Sequence, residues 1–138
     1  MENLEAHSLN VMIVDDDEIS NFIYRKVIDG TGISKTINDF QQARVALDYL
    51  VSNLKHKSAL PDLIFLDINM PVINGWGFLD EYRSNIQPHL PKKIVICMLS
   101  SSVYKEDIER AKGYSYVNEY ISKPLTRDSL KQVVKKFF

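Results

Sequence analysis

Asp67 closes the apolar run Leu63-Ile64-Phe65-Leu66 and is followed by Ile68-Asn69-Met70-Pro71. Three further segments that read as strands end on polar groups. Residues 9–14 lead into Asp15-Asp16-Asp17, residues 94–99 into Ser100-Ser101-Ser102, and residues 117–121 into Ser122-Lys123-Pro124. Gathered in one place, these side chains would have a definite chemistry. Three carboxylates repel one another, and one ammonium offsets only one charge. The remainder suits a hard cation with oxygen ligands, Mg2+ above all. Neither Cys nor His, which zinc would favour, stands among them. A carboxylate beside such a cation can attack phosphorus and form an acyl phosphate. The Ser100 hydroxyl and the Lys123 ammonium could then bond the phosphoryl oxygens.

Each residue also has a plainer reading. Asp15 to Asp17 could be an acidic helix start, favoured by the helix dipole. Asp67 could sit in a turn, Ser100 could cap a helix, and Lys123 could be a surface lysine. What separates the readings is whether the chain brings the four run ends together.

The elements around them predict that it does. Residues 9–14 read as a strand. Ile19, Phe22, Ile23 and Val27 form a helical stripe over 18–29, ended by Gly30 and Gly32. A short polar strand at 34–38 follows. Ala43, Ala46, Leu47, Leu50, Val51 and Leu54 then mark a second amphipathic helix. After a basic loop at 53–59 come a strand at 63–66, a turn at 71–75 and a helix carrying Phe78, Leu79, Tyr82 and Ile86. A proline-containing loop at 87–93 precedes the strand at 94–99. The helix at 103–112 has few apolar anchors, mainly Ile108 and Ala111. A fifth strand spans 117–121, and Thr126 caps a last helix bearing Leu130, Val133, Val134, Phe137 and Phe138. Five strands alternating with five helices argue for an α/β, doubly wound parallel sheet with helices on both faces. Right-handed crossovers put every strand's C-terminal end at one edge, where ligands bind in such sheets.

Composition sets the outer bounds. At 138 residues, 45% hydrophobic and 25% charged, the chain suits one globular domain. It is expected to comprise a flexible tail, residues 1–8, and a domain, residues 9–138. A net charge of −1 gives no bulk attraction to nucleic acid or an anionic membrane. No apolar stretch approaches the ~20 residues of a membrane span, and no secretion signal opens the chain. A soluble, cytoplasmic protein is therefore expected. The single Cys97 lies inside an apolar run and reads as a buried thiol. His7, His56 and His89 fall in the tail or in loops, away from the acidic residues. Trp76 reads as a packing or surface residue.

Taken together, Val14-Asp15-Asp16, Leu66-Asp67-Ile68-Asn69-Met70-Pro71, Asn74-Gly75, Leu99-Ser100 and Lys123-Pro124 resemble the receiver domain of two-component response regulators, from about residue 9 to the end. The resemblance implies a flavodoxin-like sheet in the order 2-1-3-4-5. Asp67 is implied to be the phosphoacceptor, phosphorylated from a histidine on a sensor kinase or phosphotransfer protein. Mg2+ is implied at Asp16, Asp67 and the backbone carbonyl of Asn69, with Asp15 acting through water. Ser100 and Tyr120 take the places of the family's switch residues, Lys123 pairs with the phosphate, and the Lys123–Pro124 bond is commonly cis in the family. Asn69 and Ser102 occupy positions that modulate hydrolysis of the acyl phosphate. Two features depart from the pattern. Asn74 stands where many members have Asp, and residues 112–118 replace a small-residue segment with one that includes Tyr114 and Tyr116.

A competing reading is a haloacid-dehalogenase-type phosphatase with Asp15 as nucleophile and Asp17 as acid. It leaves Asp67 unexplained and finds no late acidic pair after Lys123. On the receiver reading the chain is not an enzyme beyond its own phosphotransfer and dephosphorylation. A chain ending at Phe138 is expected to act alone, through a downstream protein target or a second copy of itself.

Overall fold

The computed structural model describes residues 7–101 and 105–138. Strand β1 (Leu9–Val14) is followed by α1 (Glu18–Thr31), β2 (Ser34–Phe40), α2 (Ala43–Ser52), β3 (Leu63–Asp67) and α3 (Gly75–Asn85). Then come β4 (Val95–Ser100), α4 (Lys105–Lys112), β5 (Val117–Ser122) and α5 (Arg127–Phe137). All pairings are parallel, and the strand order is β2-β1-β3-β4-β5. This is the predicted doubly wound sheet. Of the expected tail, residues 1–6 lie outside the described residues.

Alternation along the strands builds two cores. Met12, Val14, Ile64, Leu66, Ile96 and Met98 face α2 and α3, where Leu47, Leu50, Phe78, Leu79 and Tyr82 pack with them. Val11, Ile13, Leu63, Phe65, Val95, Cys97 and Leu99 face α1 and α5, against Tyr24, Ile28, Leu130, Val133 and Val134. Strands β3 and β4 are buried at every position, as strands covered on both faces must be. At one edge of the sheet, β2 is mostly exposed and carries Lys35 and Asp39, charges that blunt edge pairing with another chain.

One predicted face is wrong. On α1, Ile19, Phe22 and Ile23 are 71%, 61% and 46% exposed. The buried residues of the helix are Asn21, Tyr24, Ile28 and Thr31, with Val27 packed partly against the core. The apolar periodicity misled because the inward stripe begins on a polar residue, Asn21, whose amide bonds the backbone of Asp15. At the other end of the chain, Phe137 packs against the core while Phe138 is 41% exposed. Helix α4 is as thinly anchored as predicted: Ala111 is its buried residue. Cys97 and Trp76 are both buried.

Candidate functional site

Where β1 leaves the sheet, Asp15 and Asp16 follow Val14, and Asp17 turns the chain into α1. Asp17 is the N-cap: its carboxylate accepts from Ile19 N at 3.0 Å and Ser20 Oγ at 2.9 Å. The bond from Ser20, then that from the Ile19 backbone, holds its carboxyl below the usual range. Its carboxylate is thus engaged in capping the helix and is not one of the three that cluster, which does not favour the phosphatase reading.

Asp67 is the last residue of β3, in register with Leu99 on β4. The chain then turns through Pro71 to Asn74, and Val72 adopts a left-handed φ of 67°. Asn74 caps α3 by accepting from Gly77 N at 3.0 Å, so Asn serves this turn as Asp would. Gly75 must lack a side chain, because a Cβ there would stand 2.7 Å from the Asp67 carbonyl and 2.8 Å from Ile68 Cα. That close approach brings the start of α3 against the acidic turn.

The four strand ends do converge. Asp15, Asp16 and Asp67 each offer a carboxylate oxygen within 4.8 Å of the others. Asp15 and Asp67 are 2% and 5% exposed, whereas Asp16 is open to solvent. Lys123 Nζ lies 2.9 Å from Asp15 Oδ2 and 3.1 Å from Asp67 Oδ1. The Lys123–Pro124 bond is cis, and Lys123 N donates to the Ser100 carbonyl at 2.8 Å. Ser100 itself is fully buried at the end of β4. Tyr120, in β5, pairs in register with Met98 and is half-buried. Ser102 lies outside the described residues. His56 and His89 are exposed and stand outside the acidic cluster.

Electrostatics follow from this packing. Burial, then the neighbouring Asp15 charge, raises the Asp67 carboxyl above its usual range, against the pull of Lys123 and the Asn69 backbone N–H. Burial alone would lower the Lys123 ammonium, but bonding to Asp15 and the charges of both carboxylates hold it at about 12. Three acids facing one lysine leave an excess of negative charge around oxygen donors. That donor set fits a hard divalent cation and offers nothing to a soft one.

Two site residues carried no sequence signal of their own. Asn21, 1% exposed, donates its amide to the Asp15 carbonyl at 2.9 Å. Tyr24, 3% exposed, sits close enough for the charges of Lys123, Asp15 and Asp67 to act on it, and burial raises its phenol. A polar residue at an inward-facing helical position, six residues after Asp15, is the one trace that could have pointed to Asn21.

The family model for the response regulator receiver domain matches residues 11–135. A two-component response regulator from Cytophaga hutchinsonii superposes with a TM-score of 0.84 at 34% identity, covering 94% of this chain and 96% of that one. Chemotaxis protein CheY-3 of Vibrio cholerae is 28% identical over 139 residues, covering 100% of this chain and 98% of that protein. The sensor histidine kinase CheAY of Helicobacter pylori is 34% identical over 128 residues, of which the chain spans only 14% of the kinase's length.

Proposed function

Because this chain belongs to the response regulator receiver domain family, we propose that Asp67 accepts a phosphoryl group from a phosphohistidine on a partner kinase or phosphotransfer protein. An Asp67 carboxylate oxygen attacks phosphorus, the N–P bond breaks, and the histidine nitrogen leaves with that electron pair. The observation that carries this reading is the convergence of three carboxylates within 4.8 Å, with Lys123 bridging two of them. Asp16, Asp67 and the Asn69 carbonyl would hold Mg2+, with Asp15 acting through water. Bound there, the cation supplies neutralising charge for the phosphoryl oxygens. Lys123 leaves its ion pairs to meet the new phosphate, and Ser100 supplies a hydroxyl from the end of β4. The protein catalyses only its own phosphotransfer and dephosphorylation, and Asn69 and Ser102 set the lifetime of the acyl phosphate.

Apolar exposure on α1 supports a protein donor. Ile19, Phe22 and Ile23 stand on the helix that begins directly after the acidic residues, and a helical partner could cover them. For output, phosphorylation shifts an existing equilibrium of α4, β5 and α5, with Ser100 and Tyr120 as switch residues, and so changes affinity for a downstream protein or a second copy. The weak anchoring of α4 supports this choice of moving part.

Two measurements test the proposal. Incubation with Mg2+ and acetyl phosphate should add the mass of one phosphoryl group, labile to base and absent in Asp67→Asn. A label that persists in that variant, or that maps to Asp15 or Asp17, sinks the assignment. Amide exchange over 105–122 should differ between the free and phosphorylated forms, and identical protection would rule out the switch.

A further inference from the structure

We infer that Asn21 is a positioning residue for the acidic site, fixing the Asp15–Asp16 peptide so that both carboxylates stay aimed at one cation. The inference rests on the receiver reading above and concerns a residue that touches neither phosphate nor metal. Asn21 Nδ2 donates to the Asp15 carbonyl at 2.9 Å. A carbonyl can only accept, so this contact fixes which end of the amide faces Asp15.

The rest of Asp15 is held by other elements. Its N–H donates to Phe40 O at 3.0 Å, its Oδ1 accepts from Asp17 N at 2.9 Å, and its Oδ2 from Lys123 Nζ at 2.9 Å. The carbonyl lies beyond Val14, the last residue of β1, and Asn21 is its side-chain partner. Because a peptide is planar, fixing this oxygen also fixes the N and Cα of Asp16. Asp16 is exposed, so its backbone has little packing of its own to aim the carboxylate.

A second observation separates positioning from packing. Asn21 Oδ1 is buried and has no hydrogen-bond partner among the described residues. A buried acceptor left unpaired destabilises a fold, and an inward helix position against a sheet ordinarily takes an apolar residue. The amide thus leaves one buried acceptor, its own Oδ1, unpaired while it pairs another, the Asp15 carbonyl. What the amide uniquely adds is the bond to Asp15.

The test uses Asn21→Leu, with the same branching and no polar atoms, and Asn21→Ala, which cannot overpack. Mg2+ affinity is read by titration calorimetry, and thermal midpoints are read with and without Mg2+. Asn21→Leu exchanges the unpaired Oδ1 for an unpaired Asp15 carbonyl, so its metal-free stability should change little, while the Mg2+ dissociation constant rises about tenfold or more, the usual effect of losing an outer-shell partner. The gain in midpoint on adding Mg2+ should shrink accordingly. Retained affinity in a variant that keeps its metal-free stability overturns the inference. So does loss of metal-free stability in both variants, which would make Asn21 a structural residue. Absence of Mg2+ binding in the unmodified protein is a separate failure: it sinks the receiver reading, and this inference with it.

Discussion

At the scale of single residues, Asp67 is held under strain of charge. Its raised pKa means that the folded protein resists ionising it, through burial and through Asp15. A carboxyl whose folded pKa lies above its unfolded value of 3.8 binds more protons folded than unfolded between the two values. Stability must then fall as pH rises through that window. Above it, the ionised side chain opposes the metal-free fold. Asp67→Asn should accordingly unfold at a higher temperature than the parent in chelator at pH 7, and the gap should close in acid. A parent that matches the variant at every pH would contradict this. Cys97 gives a second residue-scale expectation. Burial pushes its thiol up to about 12, so a thiol reagent at pH 8 should leave the folded protein unmodified and react once denaturant is added. The convergence of Asp15, Asp16, Asp67 and Lys123 was legible because each stands at or just past the end of a segment that reads as a strand, and parallel topology gathers such ends. The paired contact of Lys123 with both buried carboxylates was not, since residue types set no distances.

Among the elements, legibility followed how uniform each signal was. Strands β3 and β4 announce themselves as unbroken apolar runs, because burial on both faces leaves no polar position. Helix α2 shows a regular stripe for the same reason on one side, with Ala43, Ala46, Leu47 and Leu50 buried, although Val51 of the expected stripe is 48% exposed. Helix α1 misleads because its inner face includes Asn21, while Ile19, Phe22 and Ile23 point outward; periodicity records hydrophobicity, not direction. Helix α5 was read from its cap. Thr126 Oγ1 accepts from Ser129 N at 3.1 Å, and Ser129 Oγ in turn accepts from Thr126 N at 3.0 Å. Thr126→Ala should destabilise the protein by about 1 kcal/mol, read from the urea midpoint with the slope unchanged. Since α5 packs Leu130, Val133 and Val134 on the sheet, a value near zero would mean that packing alone fixes its first turn.

For the whole molecule, the departure at residues 112–118 finds its reason in packing. Tyr114 stacks on Trp76 with ring centroids 6.0 Å apart, and Tyr116 stacks on Tyr82 at 5.4 Å. Arg110 of α4 lies 4.6 Å over the Trp76 ring, and the Tyr114 hydroxyl bonds Asp80 at 2.9 Å. These rings join α3 to α4 and to the loop before β5. Trp76 itself follows Gly75, the residue pressed against the Asp67 carbonyl. The sole tryptophan of the chain is therefore seated between the acidic turn and the helix proposed to move, under a guanidinium. Its fluorescence should report both. Any shift of α4 that withdraws Arg110 or Tyr114 changes the indole's surroundings, so the protein carries a native optical gauge of its own state, readable without a label.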